Sequence, residues 1–331
     1  LIPRNVSPKL DFLAVLSLFR LFKLLSPKIV HSTTPKAGLI AAIAGFLARV
    51  PIRLHTFTGQ PWLSLRGAMR MAARLADRLI GWLNTRCYAD SLSQSQFLVR
   101  EGLIPADRIS VIGEGSLSGV DIERFDRERI GIQVRDRVRR QLGMSSDIPI
   151  LLFIGRIARD KGIRELLAAA KQLHSEGVAF SLLLLGPMDD ETGGHSSISR
   201  LELEGQDYLH YLGYSDVPEN FIAAADVLCL PSYREGFGTV VIEAAAMGVP
   251  TVGTRITGLT DAIVDGETGV LVEVHDPIAL ANALRTLIEN PGLRGHLGEQ
   301  ARARAREHFA SGRVNAALLV EYGRLLDMCH K

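Results

Sequence analysis

The sequence predicts an α/β fold with parallel sheets. Short apolar runs alternate with longer stretches of helical periodicity along all 331 residues, as expected for βαβ units. A chain of this length favours two domains, at about 100–200 residues per domain. The apolar runs of the second half are the more continuous, as expected for strands covered on both faces. We therefore expect two Rossmann-like domains that face one another across a cleft, with a ligand at the carboxyl ends of the strands.

The first predicted domain covers 1–145 and ends in a polar linker at 143–149. Its series is one βα step short, and the chain opens at Leu1 without a methionine, so we expect the first βα unit to lie upstream. The predicted strands are 28–31, 52–56 and 108–112, and the predicted helices are 8–25, 35–47, 65–83 and 93–101.

The second predicted domain covers 146–310 and has a complete series of strands. Its helices begin near Gly162, Glu219, Thr239 and Asp276, and a closing helix at 311–328 is expected to pack back, within 311–331, on the first domain. The predicted strands are 150–154, 180–185, 209–212, 227–230, 250–253 and 269–272.

The composition excludes several classes of protein. A chain that is 47% hydrophobic and 22% charged is not disordered. Its three cysteines, Cys87, Cys229 and Cys329, are scattered without a CxxC, so a disulfide framework and a zinc site are both disfavoured. The uncharged run 37–48 is too short to span a bilayer. We expect a cytoplasmic protein.

The net charge of +2 conceals an asymmetry. Residues 1–110 carry 15 Lys and Arg against 5 Asp and Glu, a net of +10, and the remainder carries 23 against 31, a net of −8. This division indicates two modules with different partners, one of them anionic.

One motif places two cations after a predicted strand. In FIGRIARDKG (153–162), Arg156 and Lys161 follow the strand at the point where a helix begins. Cations beside a helix N-terminus suit a diphosphate, because the dipole and the side chains act together. Arginine can bind two phosphate oxygens, and lysine adds a point charge. The alternative is that both are ordinary solvated loop residues.

A second motif, PSYREGFGTVVIEAAAMGVP (231–250), combines a glycine-flanked loop with a helix N-terminus. Glycine lets the backbone approach a ligand closely, and the first free amides of the helix point at it. Glu235 in the loop and Glu243, one turn into the helix, can each accept hydrogen bonds from sugar hydroxyls. The alternative for Glu243 is an exposed helical carboxylate, although the neighbouring alanines favour a packed helix.

These motifs resemble those of the retaining glycosyltransferases of family 4, which have the GT-B fold. Glu235 and Glu243 match that family's E-x7-E motif, and Arg156 and Lys161 match its G-R-x4-K-G motif. The segment 258–269 matches a third family segment. Residues 27–62 and 110–125 are similar to members that build bacterial capsule, O-antigen or related surface glycans.

The resemblance implies a catalytic role for three residues. Arg156 and Lys161 would stabilise the diphosphate leaving group, and Glu235 would hold the transferred sugar. Other residues would bind the donor: Glu243 at the ribose hydroxyls, Gly236, Phe237 and Gly238 at the sugar, the amides of Thr239 and Val240 at the diphosphate, and Tyr214 at the base. For Tyr214, simple packing is an equal alternative.

The resemblance also implies the class of reaction. We expect a hexosyl group to move, with retention, from a nucleoside-diphosphate sugar (UDP favoured) to a glycan or polyprenyl-diphosphate-linked acceptor in surface polysaccharide synthesis. No cofactor or metal is expected, and Asp189 and Asp190 are interpreted as a solvated turn. The alternatives are a non-hydrolysing sugar-nucleotide epimerase, which needs no acceptor, and a non-catalytic nucleotide-sugar-binding protein.

The first domain departs from the family pattern at the acceptor side. Relatives often have a histidine near the tip of the second strand, where this chain has Thr58 and Gly59. His31 and His55 are the other candidates, either as hydrogen-bonding groups of the site or as ordinary strand-end histidines. The family's glycine-rich first loop is not in this chain, which puts half of the phosphate cradle in doubt.

Four arginines, Arg66, Arg70, Arg74 and Arg78, recur every four residues in the predicted helix 65–83. Together with apolar residues such as Met69 and Trp82 they indicate an amphipathic cationic helix on the anionic inner face of the cell membrane, with Asp77 offsetting part of the charge. The alternative is a solvated helix face. No pattern for binding nucleic acid is present.

Overall fold

The computed structural model of the chain describes residues 7–143, 148–189, 198, 200–203 and 205–329. The chain forms two compact units. Unit 1 comprises Leu1–Ser118 and Arg313–Lys331, and unit 2 comprises Gly119–Gly312. Each contains a parallel sheet with helices packed against it.

Unit 1 has a four-stranded sheet in the order β1-β2-β3-β4, with every pair parallel. The last helix of the chain packs on it, because Tyr322, Leu325 and Leu326 contact the cluster around Leu54 and Tyr88. The elements are α1 (Pro8–Leu25), β1 (Ile29–Ser32), α2 (Pro35–Ala48), β2 (Ile52–Phe57), α3 (Gly67–Leu83), β3 (Arg86–Ala89), α4 (Leu92–Arg100), β4 (Ile109–Val111) and α13 (Ser311–Cys329).

Strand β3 was absent from the sequence prediction. It has four residues, begins at Arg86, and follows helix α3 after only Asn84 and Thr85. A run this short has no periodicity by which to distinguish it from a helix end. It is a strand because it pairs with β2 on one side and β4 on the other, with Cys87, Tyr88 and Ala89 buried.

Unit 2 has a six-stranded parallel sheet in the order β10-β9-β8-β5-β6-β7. The six predicted strands are all present. Apart from the edge strand Leu209–Gly213, which is fully buried only at Leu209, their side chains are almost entirely buried, as expected for a sheet with helices on both faces. The elements are α5 (Arg127–Ile130), α6 (Ile132–Gln141), β5 (Ile150–Ile154), α7 (Ile163–Ser175), β6 (Ser181–Leu185), β7 (Leu209–Gly213), α8 (Pro218–Ala224), β8 (Val227–Leu230), α9 (Thr239–Ala246), β9 (Thr251–Thr254), α10 (Leu259–Ala262), β10 (Gly269–Val272), α11 (Pro277–Glu289) and α12 (Pro291–His308).

The units divide between Ser118 and Gly119, whereas the sequence placed the boundary at 145. Helices α5 and α6 belong with unit 2 because they pack on α8, and because the buried Arg139 forms an ion pair with Asp226 at 2.8 Å. Residues 144–147 of the predicted linker lie outside the described ranges. Within those ranges, no helix is long and apolar enough to cross a membrane.

Helix α3 differs from its prediction in two respects. It begins at Gly67, so Arg66 is the N-cap in extended conformation and lies outside the helix. Asp77 does not offset the arginines on the surface, because it is buried and accepts a hydrogen bond from Trp62 Nε1 at 2.7 Å. Burial raises the pKa of Asp77 to about 6.

Glycines hold the loops of unit 2 in backbone contact. A Cβ on Gly162 would lie 1.9 Å from the carbonyl oxygen of Pro231, and one on Gly258 would lie 2.3 Å from that of Gly236. A Cβ on Gly238 would meet the side chain of Leu259 at 2.7 Å. The sequence analysis explained Gly236 and Gly238 only by close approach of the backbone to a ligand. In the structure, glycines also let these loops pack closely against one another.

We predict that Gly162→Ala destabilises unit 2 more than Gly177→Ala does. Both residues have positive φ, 67° and 78°, so each alanine costs about 1–2 kcal/mol. At Gly177 nothing lies within 4 Å of the added Cβ, whereas at Gly162 the contact with Pro231 adds about 1–3 kcal/mol. Urea unfolding of the two variants measures the difference, and equal free energies of unfolding would contradict the contact.

Candidate functional site

The carboxyl edge of the sheet in unit 2 holds an open cavity of about 480 Å³. This volume lies within the range of small-molecule sites, roughly 300–1,000 Å³. The cavity forms where β5, β6 and β7 end, and its lining brings together two of the predicted site residues, Arg156 and Tyr214. The other lining residues are Arg124, Ile154, Gly155, Leu185, Gly186, Pro187, Ser215, Asp216 and Pro218.

Lys161 and Glu235 meet on neighbouring loops. Lys161 Nζ donates to Glu235 Oε1 at 2.6 Å, and both side chains are more than four-fifths buried. Ser232 Oγ donates to the same oxygen at 2.7 Å. A partly buried ion pair with a further hydrogen bond has a fixed geometry, because moving either partner would leave a charge uncompensated. The structure therefore brings together Glu235 of the motif 231–250 and Lys161 of the motif 153–162.

Arg156 lies beside two carboxylates. It forms an ion pair with Asp189 and has Asp160 at 3.9 Å. Asp160 in turn accepts a hydrogen bond from Arg234 at 2.9 Å. The interpretation of Asp189 as part of a solvated turn is wrong, because its side chain is mostly buried against Arg156. Asp190 lies outside the described residues.

Helix α9 presents its N-terminus at the end of the glycine-containing loop. Gly238 is the N-cap with φ 83° and, being a glycine, provides no side-chain cap. The first amides of such a helix, here those of Thr239 and Val240, can bind an anion together with the helix dipole. Phe237 anchors the loop, since it is buried and its ring lies 5.1 Å from that of Phe309.

Glu243 lies in α9, four residues after Thr239, and is only partly exposed. Burial raises its pKa, an effect that the neighbouring Glu219 reinforces and Arg124 opposes. The adjacent alanines 244–246 are buried. The alternative of an ordinary exposed helical carboxylate is therefore wrong.

Arg124 was missed by the sequence analysis. It lines the cavity, pairs with Glu219 at 2.8 Å and donates to the backbone oxygen of Asp216 at 3.0 Å. Its side chain thereby links the segment 110–125 to the loop that follows β7. The sequence does carry a signal for this position. Residue 124 lies within the segment 110–125, which resembles the surface-glycan glycosyltransferases as a whole, but its arginine was given no role.

Tyr214 is 71% exposed and follows β7 at the mouth of the cavity. A hydrogen bond to Asp216 raises the pKa of its hydroxyl. The alternative that Tyr214 serves packing is wrong, because its ring is not buried in the core. An exposed ring beside a cavity can stack on a flat ligand.

In unit 1, His31 connects strands β1 and β2 to the last helix. Its Nδ1 lies 2.6 Å from the hydroxyl of Tyr322 and its Nε2 lies 2.8 Å from Thr56 Oγ1. Burial lowers the pKa of His31 to about 4. The imidazole is therefore neutral near pH 7 and acts by hydrogen bonding rather than by charge.

His55 is only 1% exposed. Its Nδ1 lies 2.9 Å from Ser32 Oγ, and its Nε2 has no hydrogen-bond partner among the described residues. Burial, with a smaller effect of His31, lowers its pKa to about 3. Gly38 of α2 is required beside it, because a Cβ there would lie 2.3 Å from the ring.

The other two candidates of unit 1 have local roles in the structure. Thr58 Oγ1 donates to the carbonyl oxygen of Thr33 at 3.1 Å, and Gly59 has φ 115°. A cavity of about 30 Å³ adjoins His31 and Thr56 and does not include Thr58 or Gly59 in its lining. It has room for water but not for a sugar.

Comparison with known proteins identifies the family. Residues 134–304 match the family described as "Glycosyl transferases group 1", and residues 2–115 match a "Glycosyl transferase 4-like domain". The chain belongs to the group 1 glycosyltransferases. It is therefore a transferase, and the resemblance to family 4 is confirmed.

Two curated relatives share about a third of their residues with this glycosyltransferase. The chain is 32% identical over 308 residues to a capsular polysaccharide biosynthesis glycosyltransferase, CapM, of Staphylococcus aureus. The match covers 93% of the chain and 80% of the relative. The chain is 34% identical over 264 residues to the D-inositol 3-phosphate glycosyltransferase of Streptomyces avermitilis, covering 76% of the chain and 52% of that relative.

Solved structures show that the fold is GT-B. Anabaena HepE, in complex with UDP, has a TM-score of 0.77 at 22% identity, over 94% of this chain and 82% of that one. Sucrose-phosphate synthase from Thermosynechococcus elongatus has a TM-score of 0.82 at 24% identity, over 99% of this chain and 81% of that one. The predicted fold class is confirmed.

The buried histidines predict a loss of stability in acid. The pKa of His55 is about 3 when folded and about 6.5 when exposed, so the unfolded chain binds the additional proton between these values. Stability falls as pH falls through this window, by up to about 1.4 kcal/mol per pH unit for one imidazole. Urea unfolding at a series of pH values measures the slope.

His55→Gln, if its circular dichroism is that of the native chain, is expected to flatten this slope. His296→Gln, at an exposed position, is the matched control and is expected to leave it unchanged. An NMR signal of protonated His55 in the folded chain at pH 5 would contradict the explanation.

Proposed function

We propose that this glycosyltransferase moves a hexosyl group from a UDP-sugar, with retention of configuration, to a glycan or polyprenyl-diphosphate-linked acceptor in surface polysaccharide synthesis. The observation that carries the donor half is the pairing of Lys161 with Glu235 beside the N-terminus of α9, where the N-cap is the glycine Gly238. That arrangement provides a cation, helix amides and a sugar-binding carboxylate on one edge of unit 2.

The diphosphate is proposed to lie against Lys161, Arg156 and the first amides of α9. The ammonium of Lys161 has three donors, and Glu235 accepts one of them. Arg156 has five donors, so it can keep Asp189 while it contacts a phosphate oxygen. Because Arg156 and Lys161 are both held in position before substrate binds, their side chains need not reorganise during the reaction.

The sugar and nucleoside are proposed to bind on either side of the diphosphate. Both hydrogen bonds to Glu235 converge on Oε1, and we assign Oε2, with the backbone of Gly236 and Gly238, to the hydroxyls of the sugar. Glu243 is assigned to the ribose and Tyr214 to the face of the base. Support for uracil comes from HepE, whose structures contain UDP, UDP with glucose, and UDP-glucose.

The proposed reaction is a direct displacement on the face that the leaving group vacates. The acceptor hydroxyl oxygen bonds to the anomeric carbon, the bond from that carbon to the diphosphate oxygen breaks, and a phosphate oxygen takes the acceptor proton. The protein contributes electrostatic stabilisation, because Arg156 and Lys161 offset the charge that develops on the diphosphate. No metal is proposed, and activity in EDTA tests that point.

The acceptor is proposed to bind unit 1. His31 and His55 are neutral at neutral pH. Since His55 is only 1% exposed and both ring nitrogens of His31 bond to Tyr322 and Thr56, we assign them to holding β1 and β2 in position rather than to direct contact with the acceptor. The similarity to CapM over most of both chains supports a surface polysaccharide. The D-inositol 3-phosphate enzymes give weaker support for their acceptor, because the chain spans only about half their length.

We predict that Lys161→Ala loses about 10²–10³ in turnover, the usual effect of removing one electrostatic donor. It is expected to be less stable than the native chain but to keep its fold, because Glu235 retains the hydrogen bond from Ser232. Lys171→Ala, at an exposed position of α7, is the matched control and is expected to retain full activity. Turnover is measured with UDP-sugar and a lipid-linked acceptor. A Lys161→Ala enzyme with near-normal turnover would exclude this role for the lysine.

The donor itself is tested by thermal unfolding with UDP, GDP, ADP, CMP and their sugars. A ligand at about 100 times its dissociation constant adds about 2.7 kcal/mol of stability, and we expect UDP to give the largest shift.

NMR of the product then reports the anomeric configuration, which is expected to match that of the donor. Release of an epimer without acceptor would indicate the epimerase, and binding without turnover would indicate a non-catalytic protein.

A further inference from the structure

Helix α3 presents apolar side chains to solvent. Met71, Leu75 and Trp82 are 72%, 64% and 65% exposed. At 100° per residue these three positions fall within about 40° of one another on the helix surface. We call this feature the α3 ridge. The side chains that α3 buries, among them Asp77 and Ile80, lie on the opposite side.

The α3 ridge continues onto the neighbouring helix. The ring of Phe46, near the end of α2, lies 5.8 Å from that of Trp82, and Phe46 and Leu47 are both exposed. Helices α2 and α3 pack against each other, so the apolar surface spans two helices. Contiguous apolar surface of this kind marks an interaction site.

Positive charge borders the α3 ridge. Arg70, Arg74 and Arg78 follow one another along the adjacent side of α3, while the helix's single carboxylate, Asp77, is buried. The nearby Glu101 is already paired with Arg74. Arg70 and Arg78 have no carboxylate partner among the residues that the structure describes. A surface with apolar residues beside such cations is complementary to a layer that is apolar inside and anionic outside.

We propose that the α3 ridge inserts into the headgroup region of an anionic phospholipid membrane. Helix α3 would lie in the plane of the interface over its length of about 25 Å. Trp82 has the side chain that is enriched at membrane interfaces. The flanking arginines attract the anionic headgroups.

This proposal changes the role of the arginine row. Arg70 and Arg74 lie over the ring of Trp62, at 5.7 and 4.7 Å from its centroid, and Arg78 donates to the carbonyl oxygen of Gly102 at 2.9 Å. These contacts hold the arginines against the rest of unit 1. The arginines attract the anionic headgroups electrostatically, while the apolar side chains of the α3 ridge enter the membrane. The sequence had assigned the contact to Arg66, Arg70, Arg74 and Arg78.

The first test is co-sedimentation with vesicles of phosphatidylcholine containing about one third phosphatidylglycerol. The unaltered chain is expected to bind these vesicles and to bind pure phosphatidylcholine much more weakly. The double variant Met71→Gln/Leu75→Gln is expected to bind at least about tenfold more weakly, because two large apolar side chains no longer enter the bilayer.

The matched control is Ile132→Gln/Ile278→Gln, which makes the same kind of change at two exposed positions of unit 2. It is expected to bind like the unaltered chain. UDP-induced stabilisation is measured on every variant, since the donor site does not involve the α3 ridge. Loss of vesicle binding with intact UDP binding therefore separates this proposal from the proposed function.

The second test uses the two tryptophans of the chain. Trp62 is buried and Trp82 is exposed, so iodide is expected to quench Trp82 selectively. Anionic vesicles are expected to protect it, and Trp82→Phe is expected to remove the quenched signal while keeping an aromatic anchor.

Two results would overturn the proposal. One is vesicle binding by Met71→Gln/Leu75→Gln at the level of the unaltered chain. The other is absence of vesicle binding by the unaltered chain. If the chain is then a dimer that Met71→Gln/Leu75→Gln dissociates, the α3 ridge is a contact between two copies of the chain.

Discussion

The candidate donor site depends on the close approach of two backbone loops. Gly162 lies against the carbonyl of Pro231 at a distance that no side chain would permit. This contact sets the loop after β5 beside the loop after β8, and it brings Lys161 within 2.6 Å of Glu235. The hydrogen bond from the amide of Tyr233 to the carbonyl of Asp160 joins the same loops. Without this approach the two motifs would be separate pieces of surface.

Charge pairing then prepares that edge of unit 2 for an anion. Arg156, Lys161 and Arg124 each have a carboxylate partner, so none is buried uncompensated. Such pairing has a cost in desolvation, which is offset only when the geometry is held. The partners keep the cations ordered and leave further donors, which we propose bind the phosphate oxygens of the nucleotide sugar. Unit 1 uses the opposite chemistry, because burial keeps His31 and His55 neutral and orders them by hydrogen bonds.

Much of the fold follows from local pattern. Several strands of unit 2, such as β5, β6 and β8, are nearly continuous apolar runs, so their positions and parallel arrangement were predictable. Strand β3 was not, because four residues have too little periodicity, and pairing with β2 and β4 makes them a strand. The boundary at Ser118 was also hidden, since it depends on contacts between residues that are distant in sequence, such as the hydrogen bond of Val120 to Phe309 and the ion pair of Arg139 with Asp226.

The sequence by itself determined the fold class, the family and the residue types at the donor site, because motif spacing on a strand–loop–helix unit fixes which groups reach the edge of the sheet. Only the tertiary structure decided which groups meet. It paired Asp189 with Arg156, brought Arg124 to the cavity and buried Asp77. It also left Met71, Leu75 and Trp82 exposed. Helical periodicity shows that a face is apolar, but only packing shows which part of that face the protein itself covers.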